Sequence, residues 1–77
     1  MSRTITPDDL PTLAREAHDA SGLTQRAAAA ELGVSIGTYG QALTPRAGLD
    51  AVRIRIIERW GGVAIEGPVY VVREASA

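Results

Sequence analysis

Between Leu23 and Leu43 the chain is punctuated so closely that it has room only for two short helices joined by a tight turn. Thr24 and Ser35 are helix-capping residue types, since their hydroxyls can accept from the free N–H groups of a first turn. The run Ala27-Ala28-Ala29-Ala30 follows Thr24 and has the best helix propensity available. Gly33 stops that helix, because a turn residue there adopts a conformation that a β-carbon penalises. Ala29 is small where the two helices touch, Leu32 fills the corner, and Val34 plugs the turn into the core. The helix from Ser35 to about Leu43 is weaker. Gly37 and Gly40 each cost about 1 kcal/mol relative to Ala, so packing of Tyr39, Ala42 and Leu43 must hold it.

The flanking segments carry equally local signals. Thr6 caps a first helix, Pro7 suits its first position, and Asp8 and Asp9 favour its positive end. Pro11 then kinks the first turn or moves the start to Asp9. Leu10, Leu13, Ala14 and Ala17 form an apolar stripe at helical spacing, and Gly22 is the left-handed stop. Thr44 to Gly48 reads as a loop. Leu49 to Trp60 is the strongest helical segment, with Leu49, Val52, Ile56 and Trp60 on one face. After Gly61-Gly62 the period changes to that of strands. Val63–Glu66 and Val69–Arg73 read as a hairpin around Gly67-Pro68, a two-residue loop that suits a type II′ turn. Arg3-Thr4-Ile5 is a candidate third strand, and Glu74 to Ala77 reads as a frayed end. The expected fold class is mainly α with a small β element: one domain over residues 1–77, with a helix-turn-helix at about 24–43, a fourth helix at about 49–60 and a C-terminal β-hairpin at about 63–73.

Composition narrows the function classes. With 77 residues the core is marginal, and with no cysteine and a single histidine the usual thiolate and imidazole metal sites are missing. No paired acids, nucleophile with a base, or phosphate-binding loop stands out, so neither an enzyme nor a cofactor is expected. The N-terminus has no apolar run of a leader and no segment reaches a membrane span; the expectation is a cytoplasmic protein with no membrane partner.

The chain carries eight arginines, no lysine and a net charge of -1. The charge is unevenly spread. Residues 22–49 hold Arg26 and Arg46 against Glu31, and residues 50–62 hold Arg53, Arg55 and Arg59 against Asp50 and Glu58, so the middle is mildly basic and both ends are acidic. Arg53, Arg55 and Arg59 either pair with Asp50 and Glu58 or extend a phosphate-binding face. His18 reads as a surface residue.

The sequence resembles the phage-repressor and Cro class of helix-turn-helix proteins, the XRE type. The matching elements are Leu23-Thr24-Gln25, Ala29, Leu32-Gly33-Val34-Ser35 and Thr38-Tyr39, with Thr6 to Ala17 similar to that family's first helix. Two features depart from the family: a third helix with two glycines and no charged side chain, and strands after the fourth helix. The resemblance implies that the third helix enters the major groove of double-stranded DNA. Ser35, Ile36, Thr38 and Gln41 would then meet base edges, Gln41 by bidentate pairing with adenine and Ile36 and Thr38 at thymine methyls. Gln25, Arg26 and Arg46 would contact phosphates. Gly37 and Gly40 would permit close approach.

So few positive charges per subunit make a homodimer the expected binding form, reading half-sites roughly 34 Å apart. Trp60 and the hairpin residues Val69, Tyr70 and Val71 are the candidate dimer interface. The expected function is a sequence-specific DNA-binding transcriptional regulator, a small repressor of phage, plasmid or toxin–antitoxin type. Alternatives are a protein-interaction module such as an antirepressor or adaptor, and a winged architectural or excision factor whose hairpin tip enters the minor groove.

Overall fold

Capping chemistry sets the helix boundaries. A computed structural model describes residues 2–46, 48–66 and 71–74. It runs β1 (Ser2–Thr4), a single 3₁₀ turn (Pro7–Asp9), α1 (Leu10–Ser21), α2 (Gln25–Leu32), α3 (Ile36–Ala42), α4 (Asp50–Trp60), β2 (Val63–Glu66) and β3 (Val71–Glu74). Both expected starts of the first helix are present in succession. Thr6 N–H donates to Asp9 Oδ2 at 2.9 Å around the 3₁₀ turn. Pro11 then occupies the first turn of α1, where its missing N–H costs nothing.

Thr24 Oγ1 accepts from Ala27 N–H at 3.1 Å, and Ser35 Oγ accepts from Thr38 N–H at 3.1 Å. Between them Gly33 has φ +71°. Gly33 and Val34 return their N–H groups to Ala30 and Ala29 carbonyls at 3.2 and 3.1 Å, which closes α2 and turns the chain toward α3.

The core joins all four helices. Leu10, Ala14 and Ala17 of α1, Ala28, Ala29 and Leu32 of α2, Tyr39 and Ala42 of α3, and Ile56 and Ile57 of α4 are buried, with Ile5 and Leu43. Alanines at 14 and 17 let α1 lie close along α4, the most extensive helix contact of the fold. At the end of α4, a β-carbon on Gly61 would fall 2.5 Å from the carbonyl oxygen of Ile57 in the same helix and 3.5 Å from the Ala17 β-carbon of α1.

Tyr39 is the largest fully buried side chain. Its hydroxyl is hydrogen-bonded to His18 Nδ1 at 2.7 Å, and its ring meets His18 and Trp60 edge-on, with centroids 5.3 and 6.3 Å away. His18 is therefore half-buried and not a plain surface residue. It sits four positions after Ala14 and one after Ala17, at the margin of the buried stripe. Burial pushes the Tyr39 phenol up to about 12, because a phenolate there would lose its hydration.

The folded chain thus holds this proton to higher pH than the unfolded chain, where tyrosine titrates near 10. Its stabilising contribution is complete below about pH 10 and is lost as pH rises toward 12. The chain has no lysine to titrate in the same window. Urea midpoints are therefore expected to fall between about pH 10 and 12, with a shallower fall in Tyr39→Phe.

The strands form one antiparallel sheet in the order β1-β3-β2. The candidate third strand is present, one residue earlier than expected. The strand register differs from the one that a Gly67-Pro68 loop requires. Glu66 pairs with Val71, Ile65 with Val72, Ala64 with Arg73 and Val63 with Glu74. Relative to a Gly67-Pro68 loop the pairing is displaced by two residues, a shift that preserves which face each residue occupies. Glu74 is paired and not frayed. The expected type II′ turn falls outside the described residues, as do Val69 and Tyr70.

Candidate nucleic-acid interface

The α2–turn–α3 unit presents a surface whose residues can be followed one by one. Gln25 and Arg26 are exposed at the start of α2. Ser35, Ile36, Gly37 and Gln41 are exposed along α3, and Thr44 and Arg46 are exposed just beyond it. Ile36 is 45% exposed and is the one large apolar side chain so placed among the described residues. Amide, aliphatic and hydroxyl groups thus alternate on α3 without a charge, flanked by arginines in sequence on both sides.

Two of the residues expected at base edges have local employment. Ser35 Oγ, which caps α3, also donates to Thr38 Oγ1 at 2.9 Å. Thr38 is only half-exposed. Gln41 and Ile36 make no side-chain hydrogen bond to any described residue, so they are the parts of α3 open to a ligand. Gly40 corrects the expectation of an open groove-facing glycine. It is half-buried, and a β-carbon there would stand 3.1 Å from Gln25 Oε1. The glycine makes room for a side chain of α2. Gly37, by contrast, faces open space.

The arginines divide sharply. Arg53 is buried at 2% exposure. Its Nε donates to the Ala42 carbonyl at 2.8 Å, its Nη2 to the Thr44 carbonyl at 2.6 Å and to the Arg46 carbonyl, and its Nη1 to Asp50 Oδ1 at 3.1 Å. The ion pair with Asp50 was anticipated by the spacing; the three carbonyls were not. They are the last turn of α3 and the loop after it, which lacks a glycine cap, and the planar guanidinium supplies the donors they need. Arg55 Nη2 donates to the Leu32 carbonyl at the end of α2. Arg59 pairs with Glu31 of α2 at 3.2 Å, not with Asp50 or Glu58.

The arginines of α4 thus brace α2 and α3, and Arg55 and Arg59 stay exposed while doing so. The other two arginines of the positive middle are Arg26 and Arg46. Neither forms an ion pair with a described residue. Arg46 also borders a cleft of about 520 Å³ shared with Asp8 and Asp50, whose carboxylates lower the local potential.

The expected dimer residues fare unevenly. Trp60 is half-buried against the protein's own core and packs edge-on to Tyr39. It follows Ile56 and Ile57 at helical spacing, so it completes their face. Val71 lies in the central strand, paired with Thr4 on one side and Glu66 on the other. Its main chain has no free edge to offer a second copy.

Among the described residues no group of histidines and acids is arranged to hold a metal ion, and no helix is long and apolar enough to cross a membrane. The sequence matches no family model, no curated protein and no solved structure.

Proposed function

We propose that the chain is a sequence-specific DNA-binding transcriptional regulator, acting as a small dimeric repressor of phage, plasmid or toxin–antitoxin type. The observation that carries this reading is the α2–Gly33–α3 unit itself. It is capped at both helix starts, braced by Arg53, Arg55 and Arg59, and leaves Ile36 and Gln41 of α3 and Arg26 of α2 exposed. In this proposal α3 lies in the major groove. Arg26 and the two free N–H groups at the start of α2 approach a phosphate, which suits the positive end of a helix. Gln41 pairs with adenine, and Ile36 packs on a thymine methyl.

Selection of duplexes from a random pool, followed by fluorescence anisotropy, tests the proposal. Enrichment of one sequence with saturable binding is expected. Gln41→Ala should relax the preference at a single base pair by about 1–3 kcal/mol while leaving affinity for unrelated DNA unchanged. Equal affinity for all duplexes, or a preference unchanged in Gln41→Ala, would remove the assignment.

A second reading is favoured by the fate of the α4 arginines. With the Arg53 guanidinium buried and those of Arg55 and Arg59 bonded to α2, the surface resembles that of a protein-interaction module, an antirepressor or adaptor built on the same helical shape. Its mark is a stable protein complex formed by a chain with no affinity for DNA at low salt. The winged architectural alternative depends on the hairpin tip, which lies outside the described residues.

A further inference from the structure

Two glycines lie inside α3, and their surroundings differ. A β-carbon on Gly37 would meet nothing within 4 Å, whereas one on Gly40 would stand 3.1 Å from Gln25 Oε1 of α2. Neither has a positive φ, so the backbone does not call for glycine at either position. In a helix of 7 residues each glycine lowers stability relative to alanine. A local rule broken without a backbone reason points to function. At Gly40 the missing β-carbon is space that a side chain of another helix uses.

Gln25 is the first residue of α2 and is exposed, and its amide makes no hydrogen bond to a described residue. The place of that amide is set by packing alone, against α3 at Gly40. Gly40 comes one turn after Ile36 and directly before Gln41, both exposed, so the amide lies at the margin of the open face of α3. Arg26 follows it in the first turn of α2. An amide with two N–H donors and no internal partner, at that margin, is suited to a phosphate oxygen.

We infer that Gly40 is a positioning residue of the DNA-binding surface. It leaves the space in which the Gln25 amide is seated, and from that seat Gln25 Nε2 donates to the phosphate that the start of α2 approaches. The inference rests on the DNA-binding reading and adds to it a residue that touches no DNA itself. A phosphate contact carries no sequence information, so Gly40 acts on affinity and leaves base preference to Gln41 and Ile36. A β-carbon at this position requires its neighbour to give by a few tenths of an ångström. The neighbour is the far end of a flexible, exposed side chain, so the fold accepts alanine while the amide leaves its seat.

The test is a double-mutant cycle in the full chain, with anisotropy on the selected duplex and thermal melts of each variant. Gln25→Ala should weaken binding about tenfold, as for one hydrogen bond to a charged oxygen, with base preference unchanged. Gly40→Ala should weaken binding about threefold, a part of that contact, yet raise the melting temperature by a few degrees. In the Gln25→Ala chain, where no amide is left to displace, adding Gly40→Ala should change affinity by less than about twofold. Without DNA, Gly40→Ala should shift the Gln25 side-chain amide resonances of the isotopically labelled protein. The inference is overturned if Gly40→Ala binds as tightly as the native chain, or weakens binding equally with and without the Gln25 amide. It is also overturned if Gln25→Ala relaxes the preference at a base pair, since the amide then reads a base. A native chain that selects no duplex removes the DNA-binding reading and this inference together, whereas native selection with an unchanged Gly40→Ala removes the inference alone.

Discussion

Replacing Arg53 with alanine is expected to remove more than half of the protein's stability. The substitution strips donors from the carbonyls of Ala42, Thr44 and Arg46 and removes the partner of Asp50. Leaving a buried acceptor without its donor costs about 1–3 kcal/mol for each one, whereas Asp50, whose side chain is 38% exposed, regains water. Small domains have a total stability of about 5–15 kcal/mol, and a chain of this size belongs near the lower end. Urea denaturation followed by circular dichroism should therefore show the midpoint lowered by more than half. Arg53→Lys should fall between alanine and the native residue, because an ammonium cannot span carbonyls arranged for a planar fork. Arg55→Ala, which loses one exposed-side bond to the end of α2, should cost only about 1 kcal/mol. If Arg53→Ala melts like the native protein, the guanidinium does not hold α3 in place.

The second large effect concerns DNA affinity. Removing both Arg26 and Arg46 should abolish measurable binding to the selected duplex at physiological salt, since these are the arginines left unpaired among the described residues of the α2–α3 surface. Each lost phosphate contact should also flatten the dependence of log affinity on log salt by about 0.9. In a dimer the loss is doubled. Arg46 shares its cleft with Asp8 and Asp50, so Arg26→Ala alone should account for the larger share. Both residues are exposed, and their replacement should leave thermal stability within about 0.5 kcal/mol of the native protein. Anisotropy titrations at several salt concentrations check the slope and the midpoint together.

Much of the helical framework was legible because it depends on neighbours in sequence. Thr24 and Ser35 cap the helices they precede, Gly22 and Gly33 take the left-handed turn, and the Leu10–Ala14–Ala17 stripe is buried. The β register was less legible. Alternation in Val63–Glu66 fixes faces, but it does not distinguish pairings that differ by two residues.

The roles of Arg53 and His18 required long-range information. Beside Asp50, Arg53 looks like half of a surface ion pair. Yet it lies three and four positions before Ile56 and Ile57, on the face that is buried. The missing cap after α3 was the other available signal, since carbonyls left without donors must find them in another element. His18 similarly sits beside Ala17, yet nothing local names Tyr39 as its partner. In the sequence Gly40 looks like room for a ligand; in the fold it is room for Gln25, because the packing of α2 across α3 decides which side of a short helix is free. For the site, the sequence pointed to the surface as a whole, while the division between bracing and available arginines emerged only from the packing.

The central claim is that the α2–α3 surface binds DNA, and amide chemical-shift mapping with the selected duplex tests it most directly. At about 50 mM salt, where phosphate contacts are strong, the account predicts shifts concentrated at Gln25 and Arg26, along Ser35–Gln41 and at Arg46, with α1 and β2 little changed. Absence of shifts under those conditions, or shifts confined to residues outside α2 and α3, would contradict it.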